Sequence, residues 1–226
     1  MAATLADPFQ QNPTLWHPSE TVQVRPASIS TGFGTLDREL PGGGWPRGSL
    51  AEILNPRQDM GELSLLTPAL ARLSQSGQWI AFINPPGASC APALATGGVD
   101  LSHVVTVLTR SERETQWSAE QALRAGSCAM VLTWFTRMTE RNLRRLLRAA
   151  EDGESFGALI VPESTHCTYS APLQLRLSPG RTGLTVHILK RQFGDTISVL
   201  ELDTRRDSSS CSIRSRLPAA VVGVAS

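Results

Sequence analysis

The sequence predicts an α/β fold: a mostly parallel central sheet flanked by helices, with an antiparallel extension at one edge. Two observations predict it. Between Ser49 and Val161, short apolar stretches alternate with segments whose leucines recur at helical spacing, the pattern of strand–helix–strand units that build parallel sheets. After Val161 the alternation stops. Three strand-like stretches then follow one another with only turn residues between them, as at the antiparallel edge of a mixed sheet.

The elements follow in order. Thr31–Leu40 reads as a short helix, with Thr35, Asp37 and Glu39 favouring its first turns, and Pro41-Gly42-Gly43-Gly44 breaks it. Ser49–Leu54 is a short apolar strand. Leu63, Leu66, Leu70 and Leu73 mark an amphipathic helix that ends at Gly77. Trp79–Ile83 is a buried strand closed by Pro85-Pro86-Gly87, and His103–Leu108 is β-branched and strand-like. Ser111 with Glu114 three residues on is a capping box, and Gly126 ends the helix it opens. Ala129–Trp134 is a strand. Thr139 caps a helix whose core face is Leu143, Leu146, Leu147 and Ala150, and Phe156–Val161 is the next strand. The edge strands are Leu173–Leu177, Leu184–Lys190 and Thr196–Leu202, with turns at Pro179-Gly180 and Gly194-Asp195.

The chain of 226 residues suits one such domain, since domains usually run to roughly 100–200 residues. Residues 1–28 form an extended arm with prolines at 8, 13, 18 and 26 and with Trp16 and Val22–Val24 as its apolar anchors. Residues 29–203 form the domain. Residues 204–226 are Ser/Arg-rich, then small and apolar, which predicts a disordered tail.

Hydrophobic residues make up 41% and aromatics 5%, so the core is built from Leu, Val, Ile and Ala. A net charge of +1 supplies no field to draw the chain onto nucleic acid or membrane. Lys190 is the only lysine; the other cations are arginines, from coding bias or for planar, bidentate contacts. Cys90, Cys128, Cys167 and Cys211 show no CxxC spacing and read as free thiols of a reducing compartment. Met1–Gln10 lacks the basic and apolar regions of a signal peptide, and no stretch reaches the ~18 apolar residues of a membrane span. A cytoplasmic protein is expected.

Three stretches resemble the RecA superfamily. They are Leu36-Asp37 through Gly42-Gly43-Gly44-Trp45-Pro46-Arg47-Gly48 to Ile53, the loop Asn55–Leu63 after that strand, and the order of elements up to Val161. Within the superfamily the chain resembles the SulA/ImuA family of degenerate RecA-like proteins. Pro41–Pro46, Gly61–Leu63, Pro68–Leu73, Trp117–Arg124 and Ile188–Arg191 carry that likeness, which covers residues 13–203. The likeness to the SulA branch covers residues 60–165 and lacks the long lead-in. That length favours the ImuA branch.

The resemblance implies a nucleotide site that has lost its chemistry. A working P-loop needs glycines that bring N–H groups onto phosphate, a Lys for the β/γ-phosphates and a Ser/Thr for Mg²⁺. Aligned on that pattern, Asn55 stands at the first glycine, Glu62 at the lysine and Leu63 at the hydroxyl residue. Pro86 stands where the water-activating Glu belongs, and Trp134 where the magnesium-binding Asp belongs. A carboxylate facing a triphosphate repels it. No ATPase, cofactor, metal site or small-molecule substrate is therefore expected. Asp59 pairs with no metal-ligand partner, His17, His103, His166 and His187 are scattered, and Cys167 beside His166 reads as a chance neighbour.

Partner contacts remain. Arg141, Arg145 and Arg148, with Arg144 adjacent, form a basic stripe opposite the leucine face of their helix: a solvated face, or a contact for an acidic partner or DNA phosphate. Lys190 and Arg191 lie in the late region that borders DNA-binding loops in RecA-type proteins, with Phe193 as the lone aromatic between basic positions. Trp16 staples the arm to its own domain or docks on another subunit. The resemblance implies a non-catalytic adaptor of the DNA-damage response that binds an ImuB-like polymerase homologue, with RecA as a second candidate, and touches DNA indirectly or weakly. The alternative is a SulA-like inhibitor that binds the division protein FtsZ.

Overall fold

The computed structural model describes residues 27–55, 61–86, 90–162, 171–181, 183–191, 198–204 and 220–223. In chain order the elements are β1 (Ser28–Ile29), α1 (Gly34–Glu39), β2 (Trp45–Pro46), β3 (Ser49–Leu54), α2 (Gly61–Gln75), β4 (Trp79–Ile83), α3 (Cys90–Thr96), β5 (Val104–Leu108), α4 (Glu112–Arg124), β6 (Cys128–Trp134), α5 (Glu140–Gly153), β7 (Phe156–Val161), β8 (Leu173–Pro179), β9 (Leu184–Lys190), β10 (Ser198–Leu202) and β11 (Ala220–Gly223).

A nine-stranded mixed sheet, in the order β10-β9-β8-β3-β7-β6-β4-β5-β11, forms the centre. β3, β7, β6, β4 and β5 pair in parallel, and β8 joins β3 in parallel too. β8, β9 and β10 pair antiparallel with one another, which is the predicted edge extension. Every residue of β3 and β7 is buried, as expected of strands covered on both faces and therefore apolar throughout. At the β8–β9 edge the burial alternates, and so does the sequence.

Two cores lie on opposite faces of the sheet. One packs the leucines of α2 (Leu63, Leu66, Leu70, Leu73) against Ile53, Phe82, Leu132 and the inward residues of β8 and β9. The other packs Leu123 of α4 and Leu143, Leu146 and Ala150 of α5 against Leu50, Val131 and Leu159. Leu147, read as a core residue, is only half-buried at the margin. Both predicted caps form: Ser111 Oγ accepts from Glu114 N at 3.3 Å, and Thr139 Oγ1 accepts from Asn142 N at 3.3 Å. The Glu114 carboxylate reaches back to Arg110 N at 2.9 Å.

The first helix is shorter than predicted. Asp37 accepts from Ser30 Oγ, Thr31 N and Thr31 Oγ1 at 2.6–2.8 Å, which ties those residues into a turn ahead of it. Gly32 then adopts φ +96, and a Cβ there would come within 2.3 Å of Pro68 Cβ on α2. Only glycine accepts both that backbone and that approach.

Two corrections concern the ends and the loops. The expected disordered tail, 204–226, contains a strand: β11 pairs in parallel with β5 along Ala220–Gly223. α3 was not predicted, being too short and too alanine-rich to show a period. The arm with Trp16, Asp59, the His166-Cys167 pair, Phe193 and the rest of the tail lie outside the described residues. Among the described residues no helix is long and apolar enough to cross a membrane.

Candidate functional site

Three of the five positions that the sequence sets against a P-loop pattern, Asn55, Glu62 and Trp134, meet inside the protein. Asn55 follows β3, its backbone N–H held by Val161 O at 3.2 Å. Glu62 is the second residue of α2 and is fully buried. Trp134 ends β6 and is 8% exposed. Asn55 Nδ2 donates to Glu62 Oε2 at 2.5 Å, and Trp134 Nε1 donates to Glu62 Oε1 at 3.1 Å. The indole also stacks on Phe82 of β4, with ring centroids 5.8 Å apart and planes inclined at 19°.

Both carboxylate oxygens of Glu62 thus accept hydrogen bonds from the protein itself. Buried polar groups need such partners, and a carboxylate in the first turn of a helix also suits the helix dipole. This network joins the ends of β3 and β6 to the start of α2. Leu63 is a core residue of α2. Pro86 is exposed and takes no part in the network.

The basic stripe on α5 is largely paired. Arg144 meets Glu140, Arg145 meets Glu120 of α4 at 2.6 Å, and Arg148 meets Asp152 at 3.2 Å and Glu151 at 3.7 Å. Arg141 is exposed at the start of the helix. Lys190 is exposed at the end of β9. Arg191 is turned inward: its Nη1 donates to Glu39 O at 3.0 Å and to Glu39 Oε2 at 3.1 Å. Ser198 Oγ donates to the same carboxylate, so Arg191 fastens α1 to the β9–β10 edge. The structure does not bring Lys190 and Arg191 near the α5 stripe: they lie at the edge of the sheet beyond β8, whereas α5 packs over β3.

Two features escaped the sequence. Trp117 stands on α4 with 56% of its surface exposed, and Trp79 is 42% exposed beside His103, ring centroids 5.5 Å apart. The available signal for Trp117 was an aromatic four residues after Arg113, on the polar side of the helix. Beside Trp79, Asp100 caps the 101–103 turn and accepts from Ser102 N at 3.0 Å and Ser102 Oγ at 2.7 Å. The Ser102 hydroxyl and then its backbone N–H hold the Asp100 carboxyl below the usual carboxylate range; His103 adds to this, and partial burial opposes it. Among the described residues no group of three or more His, Cys, Asp or Glu side chains could hold a metal ion.

Comparison with known proteins bears on the same segment. The family model described as "Cell division inhibitor SulA" matches residues 48–157, which run from just before β3 to the start of β7. A protein named Cell division inhibitor SulA from Edwardsiella piscicida is 37% identical over 114 residues, 50% of this chain and 67% of that protein. One of the same name from Klebsiella aerogenes is 30% identical over 144 residues, 62% of this chain and 79% of that protein. A crystal structure of SulA from Pseudomonas aeruginosa aligns with a TM-score of 0.43 at 24% identity, covering 50% of this chain and 97% of that one.

These matches overturn the expectation of a translesion adaptor for an ImuB-like protein and RecA. That expectation leaned on the long lead-in before residue 48, which lies outside the family match, whereas the matched segment leads to SulA proteins. By that segment, which holds Glu62, Trp134 and the α4–α5 pair, the chain belongs to the SulA family.

Proposed function

We propose that this chain is a non-catalytic cell-division inhibitor that binds the tubulin-like division protein FtsZ. The observation that carries this reading is the match of residues 48–157 to proteins named as cell division inhibitors. The site chemistry is in keeping with it. On this reading the scaffold is RecA-like, and the former nucleotide station serves as internal support, with Glu62 holding Asn55 and Trp134. Such a protein acts by occupying a partner, in the cytoplasm where FtsZ assembles, so its effect follows the molar ratio of the two proteins.

The test is FtsZ GTPase activity with increasing amounts of the purified full chain. Inhibition should grow with the ratio and level off once FtsZ is saturated, and overproduction in cells should give filaments. A GTPase rate that stays unchanged at excess inhibitor sinks the reading.

A further inference from the structure

We infer that the seam between α4 and α5 is a docking surface for an acidic protein segment that carries an apolar anchor. This inference is independent of the division partner. The two helices lie side by side and run in the same direction. Thr136, just before α5, donates through its N–H to Glu112 at the start of α4, at 2.7 Å. At the far end, a Cβ on Gly153 would come within 2.0 Å of Leu123 O. Between these points Glu120 receives Arg124 of its own helix at 2.9 Å and Arg145 of α5 at 2.6 Å.

Trp117 sits one turn before Glu120 with 56% of its surface in water. Arg113 lies one turn further back on the same face, and Arg141 lies one turn before Arg145 on the neighbouring helix. Both arginines are exposed, and among the described residues neither side chain makes an ion pair or hydrogen bond. An exposed indole with unpaired arginines one turn back on its own helix and at the start of the neighbouring helix has the composition of a binding hot spot, where Trp and Arg predominate. Carboxylates of a partner complement Arg113 and Arg141, and an apolar side chain covers Trp117.

Nucleic acid fits this surface less well. Strand binding relies on successive stacking platforms, and the seam offers Trp117 alone.

The experiment is fluorescence anisotropy of the full chain with three labelled probes: a short peptide in which glutamates flank two leucines, its lysine counterpart, and oligothymidine. The glutamate peptide should bind in the micromolar range and the lysine peptide should not. Trp117→Ala and the double change Arg113→Glu with Arg141→Glu should each weaken binding about tenfold. Arg181→Glu, a control in the exposed turn between β8 and β9, should leave it unchanged. All four positions are exposed, so the fold should survive, and circular dichroism checks that. Absence of binding to the glutamate peptide, binding that both seam variants retain, or preference for oligothymidine each overturns the inference. No probe contains FtsZ, so the result is separable from that of the GTPase test.

Discussion

The indole N–H of Trp134, at the end of β6, donates to the carboxylate of Glu62 in the first turn of α2, 72 residues earlier in the chain. With Asn55 on the other oxygen, this bond makes Glu62 a structural joint between β3, β6 and α2. Lysine at this position should therefore destabilise the protein without conferring nucleotide binding. Glu62→Lys places an ammonium against two donors in a fully buried site, and breaking a buried charged group from its partners costs about 3–5 kcal/mol. Trp134→Phe removes one donor and leaves the acceptor, at about 1–3 kcal/mol. Urea unfolding reads both values. A thermal shift with ATP should be absent in Glu62→Lys, and an ATP-stabilised variant would contradict the account.

Gly32 should be intolerant of even one methyl group. Gly32→Ala meets Pro68 Cβ at 2.3 Å and forces a side chain onto φ +96. Overpacking of this kind costs roughly 1–3 kcal/mol. A melting temperature equal to wild type would show that α1 and its turn shift freely away from α2.

Asp100 gives a pH dependence on the acid side. Its folded value lies below its unfolded one, because the Ser102 hydroxyl and N–H favour the ionised form. The contribution is present above the unfolded value and is lost as pH falls through the folded one, a window below about pH 4. Melting temperature measured against pH should fall there in the wild type, and Asp100→Asn should flatten that limb. An identical profile in both proteins would assign the acid limb to other carboxylates.

Cys128 should react slowly in the native state. Burial pushes its thiol up, and a hydrogen bond with Ser127 opposes this only in part. The thiolate is the reactive form. Alkylation at neutral pH, followed by peptide mass mapping, should label Cys128 only after unfolding. Rapid native labelling would place the thiol in a more open setting.

The sheet was legible because its pattern is local. Strands such as Ser49–Leu54 and Phe156–Val161 are apolar throughout, which is the signature of burial on both faces, and Ser111 and Thr139 announce their helices through cap chemistry. Asn55, Glu62 and Trp134 were legible as departures from a motif, but their mutual bonds were not: the three residues come from three elements, and only the fold supplies that distance. Arg191 read as a candidate contact for a partner or DNA because Glu39, its actual partner, lies 152 residues away. The α5 stripe read as a charged surface for a similar reason, since Glu120 reaches it from another helix. Family membership was harder to resolve. The long lead-in weighed toward one branch, while the segment that decides the matter is the compact stretch from β3 to β7.

The Glu62 joint also shapes which sequences are reachable from this one. A lysine at position 62 is tolerable only after Asn55 and Trp134 have given way, and either of those changes alone strands a buried carboxylate oxygen. Any one of the three changes alone therefore leaves a buried polar group without its partner. The three positions form a single coupled unit: replacements there are tolerated together or not at all, while the outer faces of the protein vary one residue at a time.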